Sequence, residues 1–202
     1  MHVQIILDAI QDGTLPTDEQ LDALLPESYR VHADQHFSGV FVIEQAARFL
    51  ADRKDPLILD VGSGSGKFCL LGALLNENAH FTGVEFRAEL VSISRKLAEE
   101  FKLQNIDFVH DNILNSDFQK FNGFFIFNPF LEHRKPGQRM QGFSDHDKTA
   151  SIYEEYLSNE LSLLSKNTKM VTYYMDRSLI PNNFQCVREA IGGTLLFWES
   201  IG

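Results

Sequence analysis

One run constrains this chain more than any other: Leu57-Ile58-Leu59-Asp60-Val61-Gly62-Ser63-Gly64-Ser65-Gly66-Lys67-Phe68. An apolar strand ends in an acid, glycines follow at every second position, and an apolar helix begins. Glycine turns the backbone tightly and lets it approach a ligand with no Cβ in the way. The helix start then presents N–H groups that lack a partner within the helix. Three ligand loops compete for this pattern. A phosphate-binding P-loop needs Gly, four residues, Gly, Lys and then Ser or Thr. Counted from Gly66-Lys67, its first glycine falls on Val61 and its hydroxyl on Phe68, so that reading fails twice. A dinucleotide fingerprint needs a third glycine where Lys67 stands. What remains is Asp60-x-Gly62-x-Gly64-x-Gly66, with an acid that suits a ligand carrying positive charge.

The next strand tests that reading. His80-Phe81-Thr82-Gly83-Val84-Glu85 places an acid 19 residues after Gly66, close to the ~20 at which a carboxylate receives ribose hydroxyls. Both hydroxyls can donate charge-assisted hydrogen bonds to Glu85. Asn105–Asn112 reads as a third strand ending in an acid, Asp111. Gly123–Phe130 is almost continuously apolar, as in a parallel strand buried on both faces, and Pro129 closes it.

Periodicity predicts helices over 2–11, Asp18–Leu25, 34–52, 66–76, 87–102 and 149–165. Thr17 caps the second and Pro26 stops it; Phe37, Val40, Phe41, Ala47 and Leu50 face inward on the third. Strands are predicted over 57–61, 81–85, 106–109, 123–128 and Lys169–Met175. A closing hairpin of Phe184–Ala190 and Thr194–Ser200 turns at Ile191-Gly192-Gly193. Such alternation demands a parallel sheet with right-handed crossovers.

The Asp60–Gly66 pattern resembles motif I of class I S-adenosylmethionine (SAM)-dependent methyltransferases. The resemblance runs from about Asp34 to Ser200. It implies an α/β, Rossmann-like sandwich: a mostly parallel seven-stranded sheet with a C-terminal antiparallel hairpin and a helical N-terminal cap. Residues 1–33 form the helical extension and 34–202 the SAM-binding domain in this reading. Leu59–Leu71 together with Phe125–Phe130 looks like small bacterial methyltransferases of unassigned substrate, and more faintly like DOT1-type lysine methyltransferases.

The implied cofactor is SAM, held by Asp60, Gly62, Ser63, Gly64 and Gly66, with Glu85 on the ribose and Asp111, Asn112 and Ile113 around the adenine. Ser38, or the amides of its helix start, meets the cofactor carboxylate; the alternative leaves His36 on the surface and Phe37 in the core. Asn128-Pro129-Phe130 stands at motif IV. It is similar to the Asn-Pro-Pro-Tyr/Phe signature of amino-group methylators, one proline short. By that resemblance Asn128, beside the cofactor, orients the nucleophile and Phe130 stacks on it, while Phe127 and Phe130 are candidate pocket walls. Glu132 or His133 takes the proton, unless both are solvated loop charge. The reaction implied is methyl transfer to a small-molecule or protein acceptor, with the nucleophile atom open.

Composition bounds the rest. A chain of 202 residues fits one compact domain. A net charge of −10 speaks against broad phosphate-backbone binding, so nucleic acid is not expected as a partner. Arg134, Lys135 and Arg139 do cluster in one loop. Cys69 and Cys186 are expected as free thiols of a reducing, cytoplasmic compartment. The sequence shows no secretion leader, and no apolar run approaches the ~20 residues of a membrane span. His133, Asp145, His146 and Asp147 read as a polar loop rather than a metal set, and Glu132–Lys148 as a lid. Two other functions stay open: SAM binding without catalysis, and nicotinamide-dependent oxidoreduction, which Lys67 opposes. The oligomeric state is open too.

Overall fold

A computed structural model describes residues 2–30, 38–127 and 146–202, with the side chains of 146–150 excepted. In chain order the elements are α1 (His2–Gln11), α2 (Asp18–Asp22), α3 (Glu27–Arg30), α4 (Val40–Ala51), β1 (Leu57–Val61), α5 (Lys67–Leu75), β2 (His80–Glu85) and α6 (Ala88–Glu100). Then follow β3 (Ile106–His110), β4 (Gly123–Phe127), α7 (His146–Ser162), β5 (Lys169–Tyr173), β6 (Phe184–Ala190) and β7 (Leu195–Ser200).

The strands form one seven-stranded sheet in the order β3-β2-β1-β4-β5-β7-β6. The pairs from β3 through β5 are parallel. β7 pairs antiparallel with both β5 and β6, which makes the expected terminal hairpin. Sequence order reverses between β1 and β4, and open sheets of this kind bind ligands outside the carboxyl ends of the strands at such a switch. The glycine loop leaves β1 at that point.

Strand residues alternate between two cores. Ile58, Phe81 and Phe125 face α4 and α5, where Phe68 stacks on Phe125 at 4.0 Å. Leu59, Phe124 and Ile126 face the other layer, with Leu157 and Leu161 of α7 and Trp198 of β7. Trp198 donates its indole N–H to the Thr172 hydroxyl at 3.0 Å, which satisfies a buried donor. Ile6, Leu21 and Leu25 of the N-terminal extension belong to the first core. Cys69 and Cys186 are free.

Several boundaries depart from the sequence reading. The helix expected over Asp18–Leu25 ends at Asp22. The chain tightens there into i→i−3 bonds, Leu24 to Leu21 and Leu25 to Asp22, because Pro26 bars a helical conformation just before it. Pro26 then opens a further short helix, α3, its carbonyl accepting from Tyr29 and Arg30. Within 34–52 the described helix begins at Val40, with Ser38 and Gly39 outside it. Phe41, expected inward, is 58% exposed. The buried stripe runs through Val40, Ile43, Ala47 and Leu50, and Phe41 sits a third of a turn away from it. β5 stops at Tyr173 rather than Met175, since Tyr174 adopts φ 52°, which breaks the strand. Among the described residues no helix is long and apolar enough to cross a membrane.

Candidate functional site

The loop after β1 is built from left-handed glycines: Gly62, Gly64 and Gly66 have φ of 74°, 55° and 77°. Gly66 shows why no side chain fits. A Cβ there would lie 2.5 Å from the Phe108 ring and 2.9 Å from the Ser94 hydroxyl. Phe108, from β3, passes beneath the loop, and Gly83 makes room for it on β2: a Cβ on Gly83 would meet Phe108 at 2.8 Å and Ser63 at 2.7 Å. The loop is fixed to β2 by the Val84 carbonyl, which accepts from Gly62 and Ser63 N–H, both at 3.0 Å. The Ser63 carbonyl accepts from Gly66 N–H at 2.9 Å.

Two carboxylates meet this loop. Glu85 is 5% exposed, and its Oε2 accepts from Gly64 N–H at 2.9 Å. Its Oε1 accepts from the backbone N–H and Nε of Arg87, at 2.9 and 2.8 Å. Asp60 is 4% exposed, at the end of β1. Burial raises its carboxyl to about 7; the Cys69 thiol, which donates to it at 3.5 Å, opposes the rise, and the nearby Glu85 charge adds to it. Cys69 itself is pushed well above the usual thiol range, by burial first and then by Asp60. The site thus holds two buried carboxyl groups, one of them ion-paired with Arg87.

Asp111 stands beside Glu85, its N–H donating to the Glu85 carbonyl at 3.2 Å. Its Oδ1 accepts from Asn115 Nδ2 and from Asn112 N–H, both at 2.7 Å, and these bonds lower its pKa. Asn112 is held at both ends of its amide: Oδ1 accepts from Leu114 N–H at 3.0 Å, and Nδ2 donates to the Tyr153 hydroxyl of α7 at 2.7 Å. Ile113 packs against the second core.

The structure therefore gathers Asp60, Gly62, Ser63, Gly64, Gly66 and Glu85 at one loop, with Asp111, Asn112 and Ile113 at the neighbouring strand end. Ser63 frames the loop through its N–H and carbonyl, while its buried hydroxyl has no hydrogen-bond partner among the described residues. Ser38 is buried before α4, and among the described residues no hydrogen bond joins it to the loop. His36, Phe37, Asn128, Phe130, Glu132 and His133, with most of the expected lid, lie outside the described residues. No metal-ligating cluster occurs among the described residues.

Sequence reading missed three contacts here. Arg87 grips Glu85 across the turn from β2 to α6; a basic residue two places after the acid was the available signal. Lys67 turns away to pair with Asp22 of α2. Tyr29 of α3 lies near Glu89, and burial together with that carboxylate raises its phenol pKa. The last two join distant parts of the chain, and no local pattern announces them.

A cofactor with a cationic centre and a ribose fits this donor set. The buried carboxyl groups of Asp60 and Glu85 suit the cationic and hydroxyl-bearing portions of such a ligand, and a Cβ on Gly62 would meet nothing within 4 Å. The buried hydroxyls of Ser63 and Ser65 have no hydrogen-bond partner among the described residues, so the loop also keeps two unsatisfied polar atoms.

Residues 52–194 match a family model described as a methyltransferase domain. A tRNA (guanine-N(7)-)-methyltransferase of Synechococcus sp. (strain JA-3-3Ab) is 43% identical over 58 residues, 29% of this chain and 25% of that protein. A release factor glutamine methyltransferase of Fusobacterium nucleatum is 26% identical over 81 residues, 39% of this chain and 23% of that protein. The chain thus spans about a quarter of the length of these relatives. Among solved structures, an RNA methyltransferase from Salinibacter ruber in complex with S-adenosyl-L-homocysteine matches with a TM-score of 0.57 at 17% identity, over 81% of this chain and 92% of that one. TrmN from Thermus thermophilus matches with a TM-score of 0.59 at 16% identity, over 79% of this chain and 48% of that one. At these identities the likeness to solved structures is one of fold. Two of these proteins are named for RNA substrates, so a net charge of −10 does not remove nucleic acid from consideration. The matched domain covers most of the chain, and the sheet order carries the same class I architecture: this chain belongs to the methyltransferase-domain family.

Proposed function

We propose that the chain transfers a methyl group from SAM to an acceptor brought to the carboxyl ends of β4 and β5. One observation carries this reading: a glycine loop with an anionic floor, in which Glu85 is held against Gly64 and Asp60 is buried beside it. Two carboxylates suit a sulfonium and a pair of ribose hydroxyls, whereas a phosphate would meet like charge. The cation of a phosphate loop is also diverted, because Lys67 pairs with Asp22. The first fact disfavours a phosphate-bearing nicotinamide cofactor, and the second disfavours a P-loop.

When bound, the cofactor supplies an electrophilic methyl group. The residues of the chain supply position. Asp60 and Glu85 fix the cationic and hydroxyl-bearing portions, and Asp111 with Ile113 borders the ring. Holding nucleophile and methyl group in line is worth up to ~7–11 kcal/mol. Asn128, Phe130 and Glu132 follow β4 directly, where they orient, stack on and deprotonate the acceptor. Phe127 and Tyr173 rings lie 5.0 Å apart, and Tyr173 and Tyr174 rings 4.5 Å apart, so an aromatic row extends from these strand ends. Tyr174 is 54% exposed and keeps its left-handed φ with its N–H on the Thr194 carbonyl at 2.9 Å. Residues held in such conformations cluster at functional sites. We assign this row to the acceptor.

The acceptor is a small molecule, a protein or an RNA. Incubating the protein with methyl-labelled SAM and separated RNA, protein and metabolite fractions tests the proposal. Label in one fraction, lost in Asn128→Ala, is the expected result. Cofactor binding without label in any fraction would leave a SAM-binding module instead.

A further inference from the structure

The two acids of the glycine loop are satisfied unequally. Glu85 is held by Gly64 N–H and by its ion pair with Arg87. Asp60 is equally buried, yet among the described residues its carboxyl accepts a single hydrogen bond, from the Cys69 thiol to Oδ2 at 3.5 Å. A thiol is a weak donor. Buried carboxyls are otherwise paired with a charge or surrounded by donors. The packing of α5 places the thiol there. Cys69 is the third residue of that helix and fully buried. Phe68, one residue earlier, stacks on Phe125, which is the strand partner of Asp60 across β4.

We propose that Cys69 is a positioning residue of the cofactor site: its thiol holds Oδ2 of Asp60 and leaves Oδ1 for the cationic portion of the bound cofactor. This rests on the SAM reading above. A hydroxyl in place of the thiol would stabilise the carboxylate without a ligand. The thiol fixes direction with less stabilisation, so burial keeps the carboxyl protonated up to about pH 7 until a cation draws the proton off. Cys69 is itself pushed well above the usual thiol range, by burial first and then by Asp60, so it remains a donor. The surrounding groups leave this control to Cys69. The strand partners of Asp60, Gly83 and Phe125, do not titrate. Glu85 adds to the rise and is paired with Arg87. Lys67 on α5 pairs with Asp22, and on α4, which packs against α5, Glu44 pairs with Arg48.

The test is the pH profile of SAM affinity, measured by calorimetry on the full chain from about pH 5 to about pH 8. Wild-type affinity is expected to rise with pH and level off near 7. Cys69→Ser keeps a donor and strengthens it, so its profile levels off at lower pH, with binding about fivefold tighter than wild type at pH 6. Cys69→Ala removes the donor, so its profile levels off at higher pH, with binding about threefold weaker at pH 6. Should Cys69→Ser not fold, the upward shift in Cys69→Ala decides the matter alone. An unchanged profile in both variants, a shift of opposite sense, or a loss of equal size at every pH overturns the proposal and leaves Cys69 as a packing residue. Failure of the wild type to bind SAM at any pH would instead overturn the SAM reading on which it stands.

Discussion

The Glu85 carboxylate accepts a hydrogen bond from Gly64 N–H at 2.9 Å, and this one contact ties the end of β2 to the middle of the glycine loop. It requires both the left-handed turn at Gly64 and an acid at position 85. The loop and the Glu85 carboxylate are therefore positioned by each other.

Glu85→Gln keeps the shape but removes the charge. Hydrogen bonds to a charged group contribute about 1.5–3 kcal/mol. The expected result is a dissociation constant for S-adenosylhomocysteine about 10–100 times larger, measured by calorimetry. Unchanged affinity would exclude Glu85 from the ribose site.

Gly66 and Gly62 separate two costs. Both have left-handed φ, but a Cβ on Gly62 meets nothing within 4 Å, while one on Gly66 strikes Phe108 at 2.5 Å. Gly62→Ala is expected to cost about 1 kcal/mol. Gly66→Ala adds overpacking, for about 3 kcal/mol in all and roughly a 10 °C fall in Tm. Chemical denaturation measures both, and equal losses would contradict the packing account.

Asp60 is expected to make cofactor binding pH-dependent. Its carboxyl is raised from 3.8 to about 7 by burial, so around pH 5 the folded protein holds a proton that the unfolded chain has released. Stability of the free protein therefore falls as pH rises from about 4 to about 7, and no further loss from this group follows above that. A cationic ligand favours the carboxylate, so SAM binding expels the proton and tightens as pH rises toward 7. Calorimetry at pH 6 in buffers of different ionisation enthalpy is expected to show proton release, which Asp60→Asn abolishes. Release that persists in Asp60→Asn would assign it to another group.

These residues also mark how far the sequence was legible. Leu57–Phe68 could be read because strand, acid, glycines and helix are contiguous, and Glu85 because crossover geometry fixes its distance from Gly66. Alternating elements gave the parallel sheet, and Ile191-Gly192-Gly193 gave the hairpin. The contacts of Asp22 with Lys67 and of Asp18 with Val40 depend on how the extension folds back, and no local period encodes that. Phe41 misled because hydrophobic type alone does not fix its position around the helix, which turned it to solvent. The net charge did not decide the partner because it averages over the surface, whereas recognition depends on a patch.

Tyr174 tests the acceptor side separately. Tyr174→Ala removes an exposed ring beyond the end of β5 and leaves the glycine loop untouched. Stacking on such a ring is worth ~1–3 kcal/mol for a planar group. The expected outcome is an acceptor KM raised at least fivefold with cofactor affinity unchanged. A parallel loss of cofactor binding would move Tyr174 out of the acceptor site.

A glycine loop floored by Asp60 and Glu85 is expected to bind a cationic methyl donor. Titrating the wild-type chain with SAM, and in parallel with NADH, tests it most directly. Saturable one-to-one heat with SAM, absent with NADH and lost in a Glu85→Ala, Asp60→Ala double variant, is the predicted result. Heat with NADH and none with SAM would contradict the account.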